Sequence, residues 1–143
     1  MRWIAMDLYF SCSLTGGRQD QPIYAAMVEH LQGLGHRVLT EHLASPTVMA
    51  ADSALEPEAV YTRDTAWLRG CDAVIAEVST PSHGVGYEVA YALERGKPVL
   101  CLARAEVRVS KMLTGLRAPG FEVGTYRTPT EALACMEAFL ARC

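Results

Sequence analysis

The sequence predicts an α/β fold: a five-stranded parallel sheet with helices on both faces, in a single domain over residues 1–143. Two observations carry this. Short β-prone runs alternate with stretches of helical period along the chain, with no internal duplication, linker or low-complexity tract. Repeats of strand, helix and strand build parallel sheets. The run over residues 72–78 is nearly continuous in Ala, Val and Ile, the composition of a strand covered on both faces.

In chain order, residues 3–10 are apolar and β-prone and read as the first strand. Asp7 inside that run and the absence of a small-residue cleavage site after it argue against a leader peptide. A break over residues 11–17 follows, and Asp20 is placed to cap a helix with Pro22 in its first turn. Ile23, Met27, Val28, Leu31 and Leu34 recur at helical spacing, and Gly35 is placed to end the helix in a left-handed cap. Residues 37–43 read as the second strand. Residues 44–57 carry two prolines and little periodicity, so they form a loop or broken turn whose length suggests a lid.

A helix is expected over residues 58–69, then the buried strand 72–78, then a loop feeding a helix that starts at about His83 and stops at Gly96. Residues 98–103 give the fourth strand, residues 110–113 a single helical turn, and residues 121–126 the fifth strand. Thr128-Pro129-Thr130-Glu131 has capping-box spacing with Pro at the first helical position, and Leu133, Met136 and Phe139 give the last helix its buried stripe.

Composition excludes several classes. Thirteen Lys and Arg against sixteen Asp and Glu leave a net charge of −3, so no basic surplus points to nucleic acid. No apolar run approaches the ~18–20 residues of a membrane span. The five cysteines, Cys12, Cys71, Cys101, Cys135 and Cys143, are odd in number and never at CxxC spacing, and they read as buried free thiols in a reducing cytoplasm. His30 and His36 read as surface residues near a helix end. His42 and His83 follow strand ends and could line a pocket, but none of the four has metal-ligand spacing.

In parallel sheets, ligands bind beyond the carboxyl ends of the strands, where strand order reverses. The loop after the first strand offers Tyr9, Ser11, Ser13, Thr15, Gly16, Gly17 and Arg18. Its amides and hydroxyls suit an anion, although a tight glycine turn explains it as well. After the third strand, Ser82, Gly84 and Gly86 stand at a helix start with Glu88 about one turn in. The positive end of that helix favours a bound phosphate and the ionised form of Glu88, as a carboxylate nucleophile needs. A first-turn acid that merely complements the dipole fits equally. Asp64, in mid-helix, is by default a solvated surface residue. Were it to reach the site, Asp64 and Glu88 would form the carboxylate pair of a retaining glycosidase.

Leu8-Tyr9-Phe10, Gly16-Gly17-Arg18, Leu39-Thr40-Glu41-His42 and the stretch from Ala76 through Pro81-Ser82-His83-Gly84-Val85-Gly86-Tyr87-Glu88 resemble the 2′-deoxynucleoside 5′-phosphate N-hydrolases of the nucleoside 2-deoxyribosyltransferase family, over residues 6–115. The resemblance implies a flavodoxin-like fold, a homodimer, and cleavage of the N-glycosidic bond of 2′-deoxynucleoside 5′-monophosphates to free base and 2-deoxyribose 5-phosphate, with no cofactor and no metal. By the same resemblance Glu88 matches the nucleophile, Asp64 the acid assisting the leaving base, and Tyr9 the tyrosine beside the deoxyribose. Ser13, Thr15, Gly16, Ser82 and Gly84 match phosphate-site positions, and Ser110 a serine offered to the neighbouring subunit's phosphate site. The chain departs from the pattern at Thr15, where an arginine is expected, at Cys12, where a glycine is, and at His83, where an apolar residue is. Thr15 removes a charge-assisted phosphate contact, which keeps open a deoxyribosyltransferase acting on unphosphorylated nucleosides.

Overall fold

Among the described residues of the computed structural model (4–14, 19–47 and 54–143), five parallel strands form one sheet in the order β2-β1-β3-β4-β5. They are β1 (Asp7–Ser11), β2 (Arg37–Val38), β3 (Ala73–Glu77), β4 (Val99–Arg104) and β5 (Phe121–Tyr126). The helices are α1 (Gln21–Gly33), α2 (Pro57–Gly70), α3 (His83–Glu94), the short α4 (Lys111–Thr114) and α5 (Pro129–Ala141). β1 pairs with β3 from Leu8 opposite Ala73 to Ser11 opposite Ala76. Strand order reverses between these two strands, so the loops that follow them flank the crevice where such sheets bind ligands.

Side-chain alternation sorts the core into two layers. Leu8 and Phe10 point to the face covered by α1 and α5, where they meet Tyr24, Met27, Leu31, Met136 and Phe139. Tyr9 points the other way, into the layer of Leu68, Val74, Ala76, Val85 and Val89 beneath α2 and α3. All five residues of β3 are buried, as its apolar run predicts. Gly35 at φ +95° and Gly96 at φ +72° end α1 and α3 in the left-handed region, which a β-carbon disfavours.

Several expectations need correction. The second strand stops at Val38 because Thr40 replaces the ladder with its side chain: its hydroxyl accepts from the Phe10 amide at 2.9 Å and donates to the Phe10 carbonyl at 2.5 Å. The chain then turns into a 3-10 helix, Glu41–Ala44. Asp20 holds the N-cap position of α1 but makes no side-chain cap bond. Its carboxylate is engaged instead by Thr80 and Arg104. On α5, Thr128 caps through the Glu131 amide at 3.2 Å, but Glu131 reaches back to the amide of Arg127 rather than to that of the cap. Its buried stripe is Ala132, Met136, Phe139 and Leu140, with Leu133 only half-buried.

His36 is buried, not on the surface, because its ring accepts the Met6 amide at 3.1 Å. All five cysteines are free; Cys12, Cys71 and Cys101 are buried, whereas Cys135 is half-buried and Cys143, just past the last helix, is exposed. Residues 48–53, the middle of the expected lid, lie outside the described residues. No described helix is long and apolar enough to cross a membrane.

Candidate functional site

The site is built where β1 and α3 meet. The pleat of β1 sends Tyr9 beneath α3, fully buried, and its hydroxyl donates to Oε2 of Glu88. Glu88 lies one turn after Gly84, on the same helical face. A β-carbon on Gly84 would stand 3.7 Å from Glu88 Oε1 and 3.9 Å from Ser82 Oγ. The missing side chain thus opens the space between the Ser82 hydroxyl and the carboxylate. Ser82 is the N-cap of α3 and accepts the Val85 amide at 3.4 Å.

The sequence expectation that the helix terminus keeps Glu88 readily ionised is corrected here. Burial dominates and pushes its carboxyl up to about 7, with the nearby Asp64 charge adding to the rise. Tyr9, Ser11 and Arg63 pull in the opposite direction. Tyr9 itself is driven well above the ordinary phenol range, first by burial and then by the charges of Glu88 and Asp64. It therefore remains a proton-bearing donor to the carboxylate at every physiological pH.

Asp64, whose default reading was a solvated surface residue, is half-buried on α2, and its charge reaches both Tyr9 and Glu88. Oδ1 accepts from Arg63 Nε at 2.8 Å. That guanidinium lies 5.0 Å from the centre of the Trp67 ring, which in turn stands 5.8 Å from the His42 ring. Arg63, Trp67 and His42 thus form an aromatic and cationic cluster beside Asp64. Arg63 escaped the sequence reading, although its four-residue spacing from Trp67 was a legible helical contact. Ser11 was visible as the next residue on the Tyr9 face of β1, yet it carried no assignment.

The expected phosphate-site residues are only partly gathered. Ser13 is buried two residues past β1, and Ser82 and Gly84 stand at the start of α3. Ser110, exposed, caps α4 through the Met112 amide at 3.2 Å. Ser82 and Ser110 share a largely apolar groove of about 660 Å³ with Val85, Val89, Met112 and Leu113, on the side of α3 away from Glu88. Thr15 and Gly16, with Gly17 and Arg18, lie outside the described residues. His83 is exposed at the first position of α3. Among the described residues no three His, Cys, Asp or Glu side chains converge as metal ligands.

Comparison with known proteins gives four findings. The sequence profile of the family described as nucleoside 2-deoxyribosyltransferase matches residues 8–131. A Methanococcoides burtonii protein, proposed by its name to be a 2′-deoxynucleoside 5′-phosphate N-hydrolase, is 42% identical over 110 residues, 77% of this chain and 90% of that one. A Mus musculus 5-hydroxymethyl-dUMP N-hydrolase is 43% identical over 112 residues, 72% of this chain but 60% of that longer protein. Among solved structures, a Clostridium botulinum CMP N-glycosidase superposes with a TM-score of 0.71 at 17% identity, covering 93% of this chain and 98% of that one, a likeness of fold.

Proposed function

The chain belongs to the nucleoside 2-deoxyribosyltransferase family, and from that membership we propose that it hydrolyses the N-glycosidic bond of 2′-deoxynucleoside 5′-monophosphates. The observation that carries the reading is the half-buried Glu88 carboxyl, poised near neutrality and held by the Tyr9 hydroxyl beside Asp64. Glu88 attacks C1′ as the bond to the base breaks, forming a deoxyribosyl ester through an oxocarbenium-like transition state. Asp64 lowers the cost of expelling the base. Water then attacks C1′, releasing 2-deoxyribose 5-phosphate and restoring the carboxylate. The reaction uses no metal and no organic cofactor.

Tyr9 does two things in this scheme. It aims one carboxylate oxygen, leaving the other free to attack, and its buried ring leaves no partner for a 2′-hydroxyl. Ser13, Thr15, Gly16, Ser82 and Gly84 hold the phosphate, with the partner subunit's Ser110 completing the site in a homodimer. The apolar groove beside α3 and the exposed Met112 support such an assembly. A cytoplasmic enzyme that does not bind nucleic acid fits the free thiols and the net charge of −3.

Thr15 favours a second reading, base exchange between unphosphorylated deoxynucleosides, because it lacks the arginine charge that a phosphate attracts. Incubation with the four deoxynucleoside monophosphates, their nucleosides and the ribonucleotides separates the two, with free base followed by chromatography. Base released from the deoxy-monophosphates alone supports the hydrolase. A new nucleoside formed only when acceptor base is added to unphosphorylated substrate supports the transferase.

A further inference from the structure

Glu77 ends β3 on the sheet face opposite Tyr9 and Glu88, and it is wholly buried. One carboxylate oxygen accepts the Ser79 amide at 2.7 Å; the other accepts the Ser79 hydroxyl at 2.9 Å and the Tyr126 hydroxyl. Ser79 Oγ itself accepts the Arg104 amide at 2.8 Å. The next residue, Thr80, donates to Asp20 Oδ2 at 3.0 Å and accepts from Gln19 Nε2 at 3.1 Å. The second Asp20 oxygen pairs with the Arg104 guanidinium.

Two consecutive residues of the loop from β3 to α3 are thus pinned by groups from β3, β4, β5 and the start of α1. Two residues farther on stands Ser82, the cap of α3. Asp20 and Gln19 close the far end of the other loop at the crevice, so one network ties together both segments that flank the strand-order reversal. Burial raises the Glu77 carboxyl and opposes its ionised form, a cost with no return in the reaction at Glu88. An ionised carboxylate is, however, a side chain that accepts all three of these donors at once.

We infer, building on the reading above, that Glu77 is a positioning residue for the 5′-phosphate: by clamping Ser79 while Asp20 clamps Thr80, it sets the Ser82 hydroxyl and the first amides of α3 where a phosphate meets them. Glu77→Gln keeps the volume but turns an NH2 group toward one of the three donors, which loosens the loop. The expected result is a roughly tenfold rise in KM for deoxynucleoside monophosphates, the size of one lost charge-assisted contact, with kcat within about twofold. Tyr126→Phe, which removes a single donor, shifts KM in the same direction by less.

Binding of 2-deoxyribose 5-phosphate by calorimetry gives a readout independent of turnover, and thermal melting checks that each variant is folded. A folded E77Q that binds like wild type, or one that loses kcat at unchanged KM, overturns the inference. If E77Q does not fold, unchanged sugar-phosphate affinity in Y126F overturns it. Wild-type protein that releases no base yet binds the sugar phosphate, more tightly than E77Q does, sinks the proposed reaction and leaves the positioning role standing. Wild-type protein that binds no sugar phosphate sinks the inference itself.

Discussion

Replacing Tyr9 by Phe removes one hydroxyl and leaves the ring that fills the layer beneath α3. In the wild type that hydroxyl donates to a half-buried carboxylate, so it stabilises the ionised form of Glu88 and holds its pKa down against desolvation. A hydrogen bond to a charged group contributes about 1.5–3 kcal/mol. At 1.36 kcal/mol per pKa unit, its loss raises the Glu88 carboxyl by about one to two units. Because the nucleophile must be ionised, kcat/KM falls on the acid side of that pKa. The acid limb therefore lies near pH 7 in the wild type, where burial places the group at about 7, and moves to about pH 8–9 in Y9F. Base release from a deoxynucleoside monophosphate, followed between about pH 5 and 10, reads both limbs directly. An acid limb that stays in place, or moves to lower pH, would show that Tyr9 does not govern the charge on Glu88.

Three further outcomes follow from the same geometry. Glu88 is raised from its ordinary 4.5 to about 7, so its burial costs the fold little at pH 4, progressively more as pH rises from 4.5 to about 7, and a constant amount above that. Glu88→Gln should therefore abolish turnover while stabilising the fold by about 2–3 kcal/mol at pH 8 and hardly at all at pH 4, as thermal melts at the two pH values would record. Gly84→Ala puts a methyl 3.7 Å from Glu88 Oε1 and 3.9 Å from Ser82 Oγ, ordinary contacts in a helix. It should leave stability unchanged or raise it by up to about 1 kcal/mol while weakening substrate binding, a combination that a melt and a KM measurement detect together. Asp64→Asn should lower kcat most for the bases that leave least readily, and equal losses across all bases would remove Asp64 from the leaving-group step.

The sheet was legible because its signals are local. Continuous Ala, Val and Ile in β3, the left-handed glycines after α1 and α3, and Pro129 behind Thr128 each act through neighbours in sequence. The second strand was overextended because its end is set by Thr40 bonding to Phe10, a contact thirty positions apart in the chain. The same distinction holds at the site. Tyr9, Glu88 and Ser82 carried a recognisable pattern, and the structure brings Tyr9 to Glu88 and opens Gly84 between Glu88 and Ser82.

The charge state of Glu88 was misjudged because the helix terminus is local, whereas the burial that outweighs it comes from β1 and α2. Asp20 read as a helix cap for the same reason: its partners Thr80 and Arg104 are distant in sequence. Glu77 gave no sign: two of its donors belong to Ser79, close by in the chain, but the third, Tyr126, joins it only once β5 is in place.

The account rests on Glu88 becoming bonded to C1′, and mass spectrometry of acid-quenched enzyme tests this most directly. Wild-type protein mixed with a deoxynucleoside monophosphate and digested should carry one 2-deoxyribose 5-phosphate residue on the peptide containing Glu88, and no adduct should form in E88Q. Base release with the adduct on another residue, or with undiminished turnover in E88Q, would contradict it.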